Sequence, residues 1–178
     1  MKFSLTLSLA LLITACNSNS DKMAKIIFLH HSTGEAIWKG KTNRYVYRLT
    51  GKGDVQKYIS VYNRKNNTRY EISAINFPKS APYGWNNYPY DYYNIWVKNA
   101  GHQAYLEEPT LEMLAADYDV IIFKHCFPVS RINPDTGSPD INSDIKSLEN
   151  YKLQYDALKS KMHDFPDNKF IVWTPAAN

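Results

Sequence analysis

The sequence predicts an α/β domain built on a doubly wound parallel sheet. Apolar runs of strand length alternate with segments of helical spacing, in the order β, α, β, α, β, α, β. The third run, "VIIF", is continuously apolar, as suits a strand buried on both faces. With 178 residues, 44% of them apolar, the chain has the material for one core.

The first strand is expected at residues 25–30, "KIIFLH". A polar, basic stretch follows, and "DVQKYISVYNRK" then sets Val55, Tyr58, Ile59 and Tyr62 on one helical face behind a capping Asp54. "RYEISAINF" reads as the second strand. "YGWNNYPYDYYNIW" holds seven aromatic residues in fourteen and ends on the apolar helical pair Ile95 and Trp96. "PTLEMLAAD" reads as a short helix with Pro109 in its first turn. "YDVIIFKH" is the third strand. Leu148, Tyr151, Tyr155, Leu158 and Met162, spaced by three and four, predict a helix within Ser143–His163. "KFIVWTP" is the fourth strand. There is no internal repeat.

Charge excludes one class of partner. The 21 basic and 17 acidic residues are interleaved without a long single-sign run, so no nucleic acid is expected. Lys2 is followed by a mostly apolar run that stops at Cys16 and turns polar in "NSNSDK". This has the form of a signal peptide, too short to span a membrane. Its end, "ITAC", resembles the lipobox of bacterial lipoproteins. That resemblance implies cleavage before Cys16, acylation of Cys16, and lipid anchoring at the bacterial cell envelope. The expected organisation is a signal over 1–15, a tether over 16–24 and an α/β domain over 25–178.

In doubly wound sheets ligands bind beyond the carboxyl ends of the strands. The candidate site residues are therefore His30 to Gly34, Asn76 to Trp85, His125 to Phe127, and Thr174 to Ala176. Ser32, followed by Thr33 and Gly34, is placed to project its hydroxyl from a tight turn, as an acyl-transfer nucleophile would, or to serve as a turn former or helix cap. The aromatic stretch offers a platform for sugar rings, with Asn86, Asn87 and Asp91 toward hydroxyls, and also material for the core. Trp85 and Tyr88 are expected nearer the site than Trp96. Cys126, with Cys16 acylated, has no partner within the chain and reads as a small buried hydrophobe. His30, His31 and His125 fall at no recognisable ligand spacing, so no metal or cofactor is expected.

"FLHHSTG", "YGWNNYPYDYYNIW", "IIFKHCFPVS" and "KFIVWTPA" together, in this order, resemble segments of bacterial SGNH (GDSL-type) hydrolases, and they extend from residue 28 to residue 176. The resemblance implies a flavodoxin-like doubly wound parallel sheet. It places Ser32 at the nucleophile position and Gly84 as a backbone oxyanion donor, with Trp85, Asn86 and Tyr88 toward the substrate. Two blocks depart from the family pattern. Where the third block would read G-x-N-D, the chain has His125, Cys126 and Phe127, leaving His125 as the nearest substitute donor or base. No Asp-x-x-His follows Trp173, so the chain reads as a member lacking the last strand and helix. The expected function is a serine esterase acting on acetylated or otherwise acylated carbohydrate, or on a small ester. The alternative is a non-catalytic, membrane-anchored glycan-binding lipoprotein or an inactive remnant.

Overall fold

The computed structural model describes residues 22–85, 89–125 and 130–173. Strand β1, Lys22–His30, is in parallel register with β2, Thr68–Asn76, from Lys22 opposite Thr68 to His30 opposite Asn76. β1 thus starts three residues before Lys25, and Lys22 to Ala24, expected in the tether, are strand. The ladder is made by backbone groups, so it extends past the apolar run into polar sequence.

The polar stretch after β1 contains two short helices, α1 (Thr33–Lys39) and α2 (Arg44–Thr50). Neither was predicted, because the stretch reads as polar and basic, and α2 buries no residue, its Tyr45, Val46 and Leu49 all facing solvent. Its ends are set locally. The Asn43 side chain accepts from the Tyr45 N–H at 2.9 Å, and Gly51 closes the helix in the left-handed conformation at φ 65°.

Helix α3, Asp54–Asn66, begins where expected, but Asp54 is not its cap. Gly53 holds that position, donating its N–H to Gln56 Oε1 at 2.8 Å. Asp54 instead accepts from the Lys41 N–H at 2.6 Å and the Thr42 hydroxyl at 2.7 Å, tying the loop after α1 to α3. Val55 and Ile59 are half-buried, whereas Tyr58 and Tyr62, expected on the same face, stand out in solvent.

Between β2 and the third strand lie α4 (Pro89–Tyr93), a π-helical turn over Asn94–Lys98, and α5 (Leu111–Asp117). Thr110 caps α5, so Pro109 precedes the cap rather than occupying the first turn, and its carbonyl accepts from Trp96 Nε1 at 3.3 Å. Strand β3, Val120–Lys124, leads to α6, Leu148–Met162, and then to β4, Lys169–Trp173. α6 starts five residues later than Ser143 because Ser147 supplies the cap. The carbonyls of Ile141 and Ser143, in the turn before it, accept from Gln154 Nε2.

The four strands are all parallel in the order β2-β1-β3-β4, with Leu29 opposite Phe123 and Phe123 opposite Val172. The architecture is α/β, and this order is compatible with the 2-1-3-4-5 sequence of flavodoxin-like sheets. Side chains alternate across the sheet. Ile27, Leu29, Ile121 and Phe123 face one side, where Tyr92, Trp96, Leu111, Leu114 and Leu158 bring α4, α5 and α6 onto them. Each such side chain, fully buried, contributes about 1.5–3 kcal/mol. Phe28 and His30 face the other side, toward α1, where Gly34 packs directly on His30. The strand order switches between β1 and β3, β2 being added on one side of β1 and β3 on the other, and the carboxyl ends of β1 and β3 therefore define the crevice.

Candidate functional site

β1 delivers His30, His31 and Ser32 to its carboxyl end, and the strand alternation separates them. His30 is buried beneath α1, with its ring 4.7 Å from Phe28. Burial, partly opposed by the Glu35 charge, lowers its pKa below the usual histidine value. His31 turns the other way, donating through Nε2 to the Pro78 carbonyl and lying 4.4 Å, centroid to centroid, from the Trp85 indole. Because a carbonyl can only accept, this contact places the proton of the neutral ring on Nε2. Burial also lowers the His31 pKa, against the raising effect of that hydrogen bond.

Ser32 is exposed and sits at φ 43°, ψ −101°, a backbone conformation that an L-residue with a side chain rarely adopts. It precedes the first residue of α1, yet its side chain makes no capping hydrogen bond. The helix-cap reading of Ser32 therefore has no support in the geometry. Strain of this kind costs on the order of 1–3 kcal/mol and is held by the surroundings. Here the Gly34 N–H donates back to the His31 carbonyl at 2.8 Å, while Gly34 is wedged on His30.

The segment after β2 reaches the same crevice. The Phe77 N–H donates to the His30 carbonyl at 3.3 Å, continuing the β1 ladder. The peptide bonds Phe77–Pro78 and Ala81–Pro82 are cis. The Trp85 N–H donates to the Lys79 carbonyl at 3.2 Å and closes the loop, with Gly84 exposed at φ 89°. Through the contact of His31 with Trp85, the structure brings the Gly84–Trp85 pair to the Ser32 turn. Trp85 is half-buried, and its sheltered indole N–H meets no acceptor among the described residues. Trp96, by contrast, is wholly within the core.

Sequence reasoning missed what holds this loop. Glu108 is buried and accepts the Lys79 N–H on Oε1 at 2.7 Å, while Asn94 donates to the Tyr83 hydroxyl at 3.0 Å. Burial pushes the Glu108 carboxyl above the usual range. Glu108 is delivered by a tight turn in which Leu106 and Glu107 both take positive φ, 47° and 65°. Such turns favour glycine and asparagine, so "YLEEP" carries no signal for one.

β3 ends beside β1, as the topology expected, and sends His125 into the core side of the sheet. Its side chain has 0% exposure and lies among Tyr92, Phe123 and Tyr155, with centroids 4.7, 5.9 and 5.5 Å away. Neither ring nitrogen has a hydrogen-bond partner among the described residues. Burial, reinforced by the Lys124 charge, lowers its pKa to about 3, and the ring is neutral at physiological pH. His30 and His125 thus occupy opposite faces of the sheet. Among the described residues no three His, Cys, Asp or Glu side chains converge as a metal cage. Cys16, Asn86, Asn87, Tyr88, Cys126, Phe127 and Thr174 to Ala176 lie outside the described residues, as does the signal over 1–15. No described helix is long and apolar enough to cross a membrane.

No protein-family profile, no curated protein and no solved structure matches the chain.

Proposed function

We propose that the crevice between the ends of β1 and β3 is an ester-hydrolysing site of SGNH type, with Ser32 as nucleophile and acylated carbohydrate at the cell envelope as substrate. The observation that carries this reading is Ser32 itself, a strained and exposed serine at the switch point of a parallel sheet, with its hydroxyl not spent on capping α1. In such a reaction Ser32 Oγ attacks the acyl carbon and its proton passes to a base. The sugar alcohol leaves, and water then releases the acid from the serine. The Gly84 N–H, in the loop carried by Trp85 and His31, suits the oxyanion. A neutral His125 suits a donor role better than a base, because a group with a pKa of about 3 holds a transferred proton poorly at neutral pH.

The same fact supports the second reading, a non-catalytic glycan-binding lipoprotein. His31 Nε2 is committed to a carbonyl and His125 is caged, which leaves neither set as a general base for Ser32. Trp85 then acts as a stacking surface for a sugar ring. A serine-directed fluorophosphonate and a panel of acetylated sugars separate the two. The esterase reading expects labelling that disappears in Ser32→Ala, together with acetate release; an unlabelled, inert wild type overturns it. The binding reading expects glycan affinity that survives Ser32→Ala and is lost in Trp85→Ala.

A further inference from the structure

The chain's positive charge is concentrated in the crossover from β1 to β2. Residues 39–69 contain nine Lys and Arg against a single acidic residue, Asp54, while the rest of the chain has 12 basic against 16 acidic residues. Asp54 pairs with one of these cations, Lys57, at 3.2 Å, and two acids from outside the segment approach the same surface, Glu35 at the Tyr47 hydroxyl and Glu71 in the groove beside α3, so the balance remains positive. Eight of the nine cations, all but Lys39, are exposed.

Large apolar side chains stand in solvent among these cations. On α2, Leu49 is 87% exposed and Tyr45 73%, beside Val46, Arg44 and Arg48. On α3, Tyr58 at 74%, Val61, Tyr62 and Lys65 form an outward stripe at spacings of three and four, flanked by Lys57 and Arg64. A groove of about 680 Å³ lies along the other flank of this stripe, between α3 and β2, lined in part by Lys52, Lys57, Arg64 and Tyr70. Val55 and Ile59 of α3 are half-buried, and no residue of the stripe belongs to the hydrophobic core.

We propose that α2 and α3 form a docking surface for an anionic phospholipid membrane. Lys and Arg meet the headgroup phosphates, and Leu49, Val46, Val61 and the tyrosines enter the boundary between headgroups and acyl chains. Interleaved basic and apolar or aromatic residues on exposed helices are the composition of interfacial helices. Charge complementarity decides the sign of the lipid. The aliphatic members favour lipid over nucleic acid, since Leu49, Val46 and Val61 make no contact with phosphates, whereas a lipid surface buries them. None of these residues belongs to the crevice, so the inference does not rest on the proposed activity.

Co-sedimentation of the full chain with vesicles tests it. Phosphatidylcholine vesicles are compared with vesicles containing 30% phosphatidylglycerol, so that any contribution of the apolar N-terminal segment is common to both. The wild type should partition at least about tenfold more strongly onto the anionic vesicles, and the ratio should fall with added salt. Arg64→Glu with Lys65→Glu should collapse that ratio about tenfold or more, and Leu49→Ser with Tyr58→Ser should weaken binding to anionic vesicles. Arg48→Gln with Lys52→Gln is the second charge variant, used if the first fails to fold. Equal partition onto the two vesicle types, or a ratio unchanged in a folded charge variant, overturns the proposal. So does salt-sensitive binding of a DNA duplex by a wild type that ignores anionic vesicles.

Discussion

His31 packs against Trp85, 4.4 Å between ring centroids with the rings tilted by 39°, while its Nε2 donates to the Pro78 carbonyl. One imidazole thereby joins the end of β1 to both ends of the loop from Pro78 to Trp85. That loop carries Gly84 and Trp85, so His31 sets where both stand relative to the end of β1.

Removing that tie should be felt in the loop before it is felt in the fold. His31→Ala is expected to cost about 1–2 kcal/mol, from one hydrogen bond and one ring contact. His31→Phe should recover the ring part only. Amide hydrogen exchange is the measurement: faster exchange at the Trp85 N–H in His31→Ala, with β3 amides unchanged, is the expected pattern. Uniform acceleration across the sheet would mean that His31 supports the whole domain instead.

The backbone at Ser32 should be relieved by glycine and not by alanine. At φ 43° a side chain is strained, so Ser32→Gly is expected to stabilise the protein by about 1 kcal/mol, less the entropy glycine adds to the unfolded chain. Ser32→Ala should stay within about 0.5 kcal/mol of wild type. Chemical denaturation of the two variants settles the matter, and a destabilised Ser32→Gly would show that Ser32 is not strained in solution.

Two glycines should respond unequally to a methyl group. A Cβ on Gly53 would stand 1.9 Å from the Trp38 carbonyl oxygen, a backbone atom that cannot step aside, and Gly53→Ala is expected to cost more than about 2 kcal/mol. Gly84 has open space around it and only its φ of 89° to pay for, so Gly84→Ala should cost about 1 kcal/mol. Thermal melts that rank these variants the other way round would contradict the packing of α1 on α3.

Acid should destabilise the fold through its histidines. Burial lowers the His125 pKa from 6.5 to about 3, so the unfolded chain binds a proton that the folded chain refuses throughout that interval. Stability is therefore full above about pH 6.5 and falls as pH drops toward 3, by up to about 1.4 kcal/mol per pH unit for this residue. His30 and His31, also lowered, add to the same limb. Urea midpoints for wild type and His125→Leu, taken from pH 7 to pH 4, should separate as pH falls, the wild type dropping further than the variant. Parallel curves would mean that His125 is reached by water.

The aromatic stretch should divide into two classes of variant. Trp96→Ala removes a fully buried side chain and is expected to cost about 3–5 kcal/mol, whereas Trp85→Ala should leave stability within about 1–1.5 kcal/mol. Comparable losses in both would remove Trp85 from the candidate substrate surface.

What the sequence by itself determined is the alternation of four strands with helices and hence the α/β class, because "IIFL" and "VIIF" are apolar runs of strand length and the α6 apolar spacing is helical over four turns. The ends of the apolar runs also indicated His30 to Ser32 and His125 as the residues at the carboxyl ends of β1 and β3, where the sheet places them. The sequence did not reveal α1 and α2, which lie in a stretch that reads as polar and basic, or Glu108, whose turn lacks glycine. Those are long-range or steric facts with no periodic signature. Only the tertiary structure decided which face each histidine took. The strand alternation and the parallel register set His30 under α1, and they drove His125 into an aromatic cage where charge is too costly to hold.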